Sequence, residues 1–284
     1  MKIPKYWARS SQAVQQPDGR SYQLVIWQWS DASREDAQRQ ADNRVRELEQ
    51  KIRAGEQLTR YGYGERPLRE EITQGVTTDT GREVAIVTRN LYGALVLNAA
   101  NAMFIDIDFP DKGTSSSTGG GFQWGLGTRA PGQEEQHVEH IASWASRYPD
   151  LGIRVYRTFA GLRCLITTQL FEPGRADTLD ILRASKSDPL YVRLCQAQAC
   201  FRARLTPKPW RCNMDTPPSR YPWENYNLEV QFRQWVQRYE QASRSYSVCK
   251  LVRQLGPQQI HPDVGAILAL HDRLTGVEAE RPLA

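Results

Sequence analysis

A chain of 284 residues, 40% apolar and 24% charged, can bury a sizeable core without disulfides or metal and is too apolar for general disorder. Its formal net charge of +5 favours anionic partners only weakly. The excess is concentrated, with eleven Lys or Arg against four Asp or Glu from Leu151 to Arg211, a run that fits a solvated face or a phosphate-binding surface equally well. The five cysteines include no C-x-x-C pair, which argues against structural zinc and for reduced thiols in a cytoplasmic location. Neither export nor membrane spanning is expected, because MKIPKYWARS has no apolar stretch and no segment approaches about 18 apolar residues.

The turn signal PDG at Pro17 to Gly19 precedes SYQLVIWQW, rich in β-branched and aromatic residues, which reads as the second arm of a hairpin. Ser33 with Asp36 then starts a helix whose apolar positions are Ala37, Ala41, Val45, Leu48 and Ile52, with Gly55 as its stop. The tract YGYGERPLREE breaks regular structure, and its two tyrosines suit either base stacking or a core edge. Strands follow at REVAIVTRN, at Ala94 to Leu97 and at NAMFIDIDFP. The Gly- and Ser-rich segment 113–132 comes next, then a helix at Gln136 to Arg147. LGIRVYRTFAGLRCLITTQLF places two β-rich runs around Ala160 and Gly161, a hairpin signal. A helix near Ala176 to Ala184, a short element at Tyr191 to Cys200 and a strand in FRARLTPKPW complete this part.

From Asn101 to Trp210 the order is strand, helix, strand, strand, helix, strand. The expected fold is therefore α+β, with an RRM-like or ferredoxin-like split βαβ core whose helices cover one sheet face and leave the other free. The expected organisation is an N-terminal α/β part over 1–100, the core over 101–211 and C-terminal helices over 212–284, packed together and separated by the link DTPPSRYPW. In the last part Leu228, Phe232, Trp235, Tyr239, Ala242 and Tyr246 form an apolar stripe, and Pro262 to Leu274 reads as a further helix.

Alternation along FIDID puts Asp106 and Asp108 on one face. Two carboxylates that close repel each other, and a strand this apolar holds them only with a cation between them. A divalent metal meets that need and commonly gathers substrate phosphates; capping the next loop or pairing with arginines meets it too. Arg157 and Arg163 of the hairpin, with Arg202, Arg204 and Lys208 of FRARLTPKP, are candidate phosphate ligands. Arg154 and Arg157 face opposite sides of a regular strand, so only part of the basic set lines any one site. His137 and His140 share a helix face but lack the H-E-x-x-H pattern, and no Walker A, G-x-S-x-G or dinucleotide fingerprint occurs.

FIDIDF, the hairpin VYRTFAGLRCLIT and the strand FRARLTPKP together resemble the catalytic module of archaeo-eukaryotic primases and primase-polymerases. The resemblance covers roughly Asn101 to Trp210. It implies a carboxylate strand that binds metal, with Asp106 and Asp108 as catalytic metal ligands and Asp188 in KSDPLY as the nearest candidate for a third. It also implies that Arg163 stands near the nucleotide-binding histidine of that family, although the hairpin here has no histidine. The function expected from residues and resemblance is nucleotidyl or phosphoryl transfer on a nucleotide or nucleic acid, dependent on Mg²⁺ or Mn²⁺. The alternative is a non-enzymatic nucleic-acid-binding or assembly protein that keeps the fold, with Tyr156, Tyr191 and Trp210 on its contact surface. The C-terminal helices offer a face for a protein partner.

Overall fold

The computed structural model describes residues 1–15, 19–56, 67–110 and 132–284. Strands β1 (Tyr6–Gln15) and β2 (Ser21–Ser30) pair antiparallel as a two-stranded sheet. Such a ribbon is marginal alone; helix α1 (Arg34–Arg53) lies on it and buries the five apolar positions expected from the sequence. Ser33 caps this helix by accepting a hydrogen bond from the Asp36 amide at 3.1 Å. Val14, Leu24 and Ile26 of the ribbon meet Val45, Leu48 and Ile52 of the helix in a small core of their own. Pro17 and Asp18 of the PDG signal and the two tyrosines of YGYGERPLREE fall on residues outside those described, as does most of the Gly-rich segment.

Two four-stranded antiparallel sheets form the rest of the α+β architecture. The first contains β3 (Glu71–Thr77), β4 (Glu83–Arg89) and β5 (Leu95–Ala99), and its fourth strand comes from far along the chain. The second contains β6 (Phe104–Asp108), β7 (Ile153–Thr158) and β8 (Gly161–Ile166). Between β6 and β7 runs α2 (Gln133–Ala145), and β8 lies antiparallel between those two strands, so a split βαβ unit is present.

The fourth strand corrects the expected core. After α3 (Ala176–Ala184) and α4 (Pro189–Gln198), β9 (Phe201–Arg204) pairs with β5 and completes the first sheet. Residues on both sides of position 100 therefore share a sheet. The place in the second sheet goes to β10 (Cys249–Leu255), which pairs with β7 after α5 (Tyr226–Ser243). The resulting order, β10-β7-β8-β6, is not that of a ferredoxin-like or RRM sheet. Packing explains the switch: beside β5, Phe201 and Ala203 are buried in the main core while Arg202 reaches a carboxylate on the other side.

Neither face of the second sheet is free. On the side of Ile105 and Ile107, α2 brings Glu134 to Arg157 and His137 to the ring of Phe109. On the side of Asp106, α6 (Pro262–Thr275) sets His271 against Phe104 and Tyr156, with ring centroids 5.4 and 4.9 Å away. Among the described residues no helix is long and apolar enough to cross a membrane. All five cysteines are free and buried.

Candidate functional site

Asp106 lies directly opposite Arg163 in the pairing of β6 with β8, and directly opposite residues share a sheet face. The Arg163 Nε sits 3.9 Å from a carboxylate oxygen of Asp106, so the cation that this strand needs is supplied by the neighbouring strand. Arg163 is buried and anchored from behind. Its Nη1 donates to the Arg204 carbonyl at 2.8 Å and lies 3.4 Å from Nε2 of His271. His271 in turn contacts Asp272 at 2.9 Å, and Asp272 accepts from Arg154 at 2.9 Å. Burial, with the Arg163 charge adding to it, pushes His271 down to about 4, so this imidazole is neutral at pH 7 and couples α6 to the sheet without adding charge.

Asp108 ends the strand, more exposed than Asp106. The protein packed around its carboxyl raises its pKa, and the charges of Asp106 and Asp188 raise it further, against Lys208 and Arg204. Lys208 answers from the segment after β9. Desolvation pushes its ammonium down to about 8, Arg204 and Arg211 push the same way, and Asp108 and Asp106 oppose them. Arg204 is depressed by burial and by Arg163, and its Nε is buried with no hydrogen-bond partner among the described residues. The carboxylates of Asp106, Asp108 and Asp188 and the cations of Arg163, Arg204, Lys208 and Arg211 thus interact electrostatically beside β6.

Asp188 reaches this edge because its amide donates to the Asp106 carbonyl at 2.7 Å. Its carboxylate is committed locally, accepting from the Tyr191 amide at 2.7 Å as the N-cap of α4. Among the described residues, no group of three or more His, Cys, Asp or Glu is arranged to hold a metal ion. The expectation of Mg²⁺ or Mn²⁺ held by Asp106, Asp108 and Asp188 is therefore corrected. One carboxylate faces an arginine and another caps a helix, which leaves no shared coordination sphere.

Two further candidates are structural. Arg157 lies on the opposite face from Asp106, donating to Glu134 at 2.8 Å and to the Gly161 carbonyl at 2.7 Å, where it clamps the β7–β8 hairpin to α2. Arg202 is buried and donates to both oxygens of Glu70 at 2.8 Å. Tyr156 and Tyr191 are buried and cannot present a contact surface.

Next to Lys208 lies a group of aromatic rings that periodicity does not reveal. Lys208 stands 5.6 Å over the Trp210 ring, Tyr92 meets Trp210 edge-on at 5.2 Å, and the Arg211 guanidinium sits 4.0 Å over Phe159 at the hairpin tip. Trp210 and Lys208 were among the residues expected from the sequence, whereas Phe159, Arg211 and Tyr92 were not; an apolar aromatic at a hairpin tip was the available signal for Phe159. The sequence matches no protein-family model, and neither curated proteins nor solved structures provide a match.

Proposed function

We propose that this chain binds single-stranded nucleic acid, without a divalent ion, along the strip of Phe159, Lys208, Trp210, Arg211 and Tyr92. The observation that supports it most is the pair of neighbouring cation–ring stacks, Lys208 on Trp210 and Arg211 on Phe159. Rings of this kind stack on bases while adjacent cations meet the backbone phosphates, which gives affinity with little sequence preference. Asp108 and Asp106, at the end of the strip, offer acceptors to base amines or sugar hydroxyls. The test is anisotropy of a labelled oligo-dT or oligo-rU in EDTA. Saturable binding that weakens steeply with salt, and that weakens further in Trp210→Ala and Arg211→Gln, is the expected result. Binding that appears only with added Mg²⁺, or none at low salt, refutes it.

A second reading is phosphoryl or nucleotidyl transfer on the bound strand. It is favoured by Asp108 and Lys208, a raised carboxyl beside a lowered ammonium, the pattern of a general acid and base tuned toward neutral pH. Turnover of a labelled strand that Asp108→Asn abolishes without loss of binding would support it; turnover unchanged in that variant would remove it.

A further inference from the structure

A cleft of about 420 Å³ lies between the start of β1, the first turn of α1 and the segment leading into α5, with Lys5, Tyr6, Trp7, Arg34, Tyr221 and Trp223 among its lining residues. Its walls are aromatic and supported. Tyr221 and Trp223 pack edge to face with centroids 5.2 Å apart, Phe232 lies 5.2 Å behind Trp223, and Trp29 lies 5.5 Å from Trp7. The size falls within the range of small-molecule sites.

The indole Nε1 atoms of Trp7 and Trp223 are buried and have no hydrogen-bond partner among the described residues, and Trp7 itself is only 7% exposed. Both are donors enclosed within the protein, so they are not offered to a ligand. Glu224 is matched by Arg9 at 3.7 Å and Glu229 by Arg233 at 3.2 Å. Among the described residues, no carboxylate pairs with Lys5 or Arg34; Lys5 stands 5.3 Å over the Tyr6 ring. The cleft therefore presents ring faces and two cations that no carboxylate among the described residues holds in an ion pair. A proline-rich peptide would cover the rings but brings no negative charge to the cations.

From this geometry we propose that the cleft binds a mononucleotide, its base against the tyrosine and tryptophan rings and its phosphate held by Lys5 and Arg34. The proposal rests on this cleft alone and does not depend on the strip at Lys208. The experiment is calorimetric titration of the full chain with adenosine 5′-monophosphate, with adenosine, and with a proline-rich decapeptide. The expected result is saturable binding of the nucleotide, about tenfold weaker binding of adenosine, and a similar loss for the nucleotide in Lys5→Ala/Arg34→Ala. Because both substitutions are at surface cations, an unchanged thermal midpoint should accompany that loss. Equal affinity for adenosine and nucleotide, binding of the peptide alone, binding that survives the double substitution, or binding lost in Lys208→Gln would each overturn it. So would the absence of any saturable signal at millimolar nucleotide.

Discussion

Lys208 gives the proposed strip a pH dependence with a definite sign. With its ammonium near 8, the side chain is about nine-tenths charged at pH 7 and about one-tenth charged at pH 9. Deprotonation removes a phosphate contact, so affinity for a single strand falls as pH rises. One charge-assisted contact is worth about tenfold in affinity, and by linkage the bound strand raises the Lys208 pKa by about one unit. The fall therefore begins near pH 8 and levels off near pH 9, after about a tenfold loss. Anisotropy titrations from pH 6.5 to 9.5 at fixed ionic strength read the effect. Lys208→Arg should hold the neutral-pH affinity throughout, whereas Lys208→Gln should bind at every pH about tenfold more weakly than wild type does at pH 7, so that its curve and that of wild type merge near pH 9. A wild-type profile that stays flat to pH 9 would refute the reasoning about desolvation, and a Lys208→Gln variant that binds as tightly as wild type at pH 7 would refute the contact itself.

Glu70→Ala leaves the buried Arg202 guanidinium without its carboxylate and should cost about 3–5 kcal/mol in urea unfolding, whereas replacing both partners, as Glu70→Leu/Arg202→Met, should cost less than that single change. Gly161→Ala should abolish or severely weaken folding, since an added Cβ would lie 1.8 Å from the Ile107 carbonyl oxygen on the paired strand; thermal unfolding unchanged from wild type would contradict the close β6–β8 approach. His271 has a folded pKa near 4 against an ordinary 6.5, so the unfolded chain binds its proton first. Its contribution is complete above about pH 6.5 and is lost as pH falls toward 4, by roughly 3 kcal/mol. Denaturation across that range should show a steeper pH dependence in wild type than in His271→Gln.

What the sequence makes legible is local. Helix α1 could be read because cap, periodicity and stop agree, and every apolar position named for it is buried. The alternation in FIDID placed Asp106 and Asp108 together, and the Ala160–Gly161 signal located the β7–β8 hairpin. The partition of strands between sheets was not legible: the part after 212 reads as helical, so β10 was not expected there, and only packing at long range sends β9 to the first sheet and β10 to the second. The same limit applies to the arginines. Arg202 answers Glu70, 132 residues away, in a segment that reads as irregular, so its role as a buried partner has no local signature. Asp188 was placed beside the D-x-D strand by resemblance, and the fold does bring it there, but as the cap of α4. A charge run identifies many cations at once and does not distinguish those already paired from those facing a ligand.

The treatment of β6 bears on how these molecules meet one another. As a terminal strand it would expose unpaired amides and carbonyls, an invitation for a neighbouring chain to add a strand. Here the Asp106 carbonyl accepts from the Asp188 amide and, at 3.1 Å, from the Ser187 hydroxyl, while the Phe104 carbonyl accepts from the Tyr191 hydroxyl at 3.0 Å. The opposite margin, β10, carries an irregularity in its pairing between Leu251 and Arg253, together with the charges of Lys250 and Arg253. One border is sealed by side chains and backbone from the loop into α4 and the other is blunted by a bulge and like charge. The sheet that carries the site is thereby protected against edge-to-edge growth at high protein concentration.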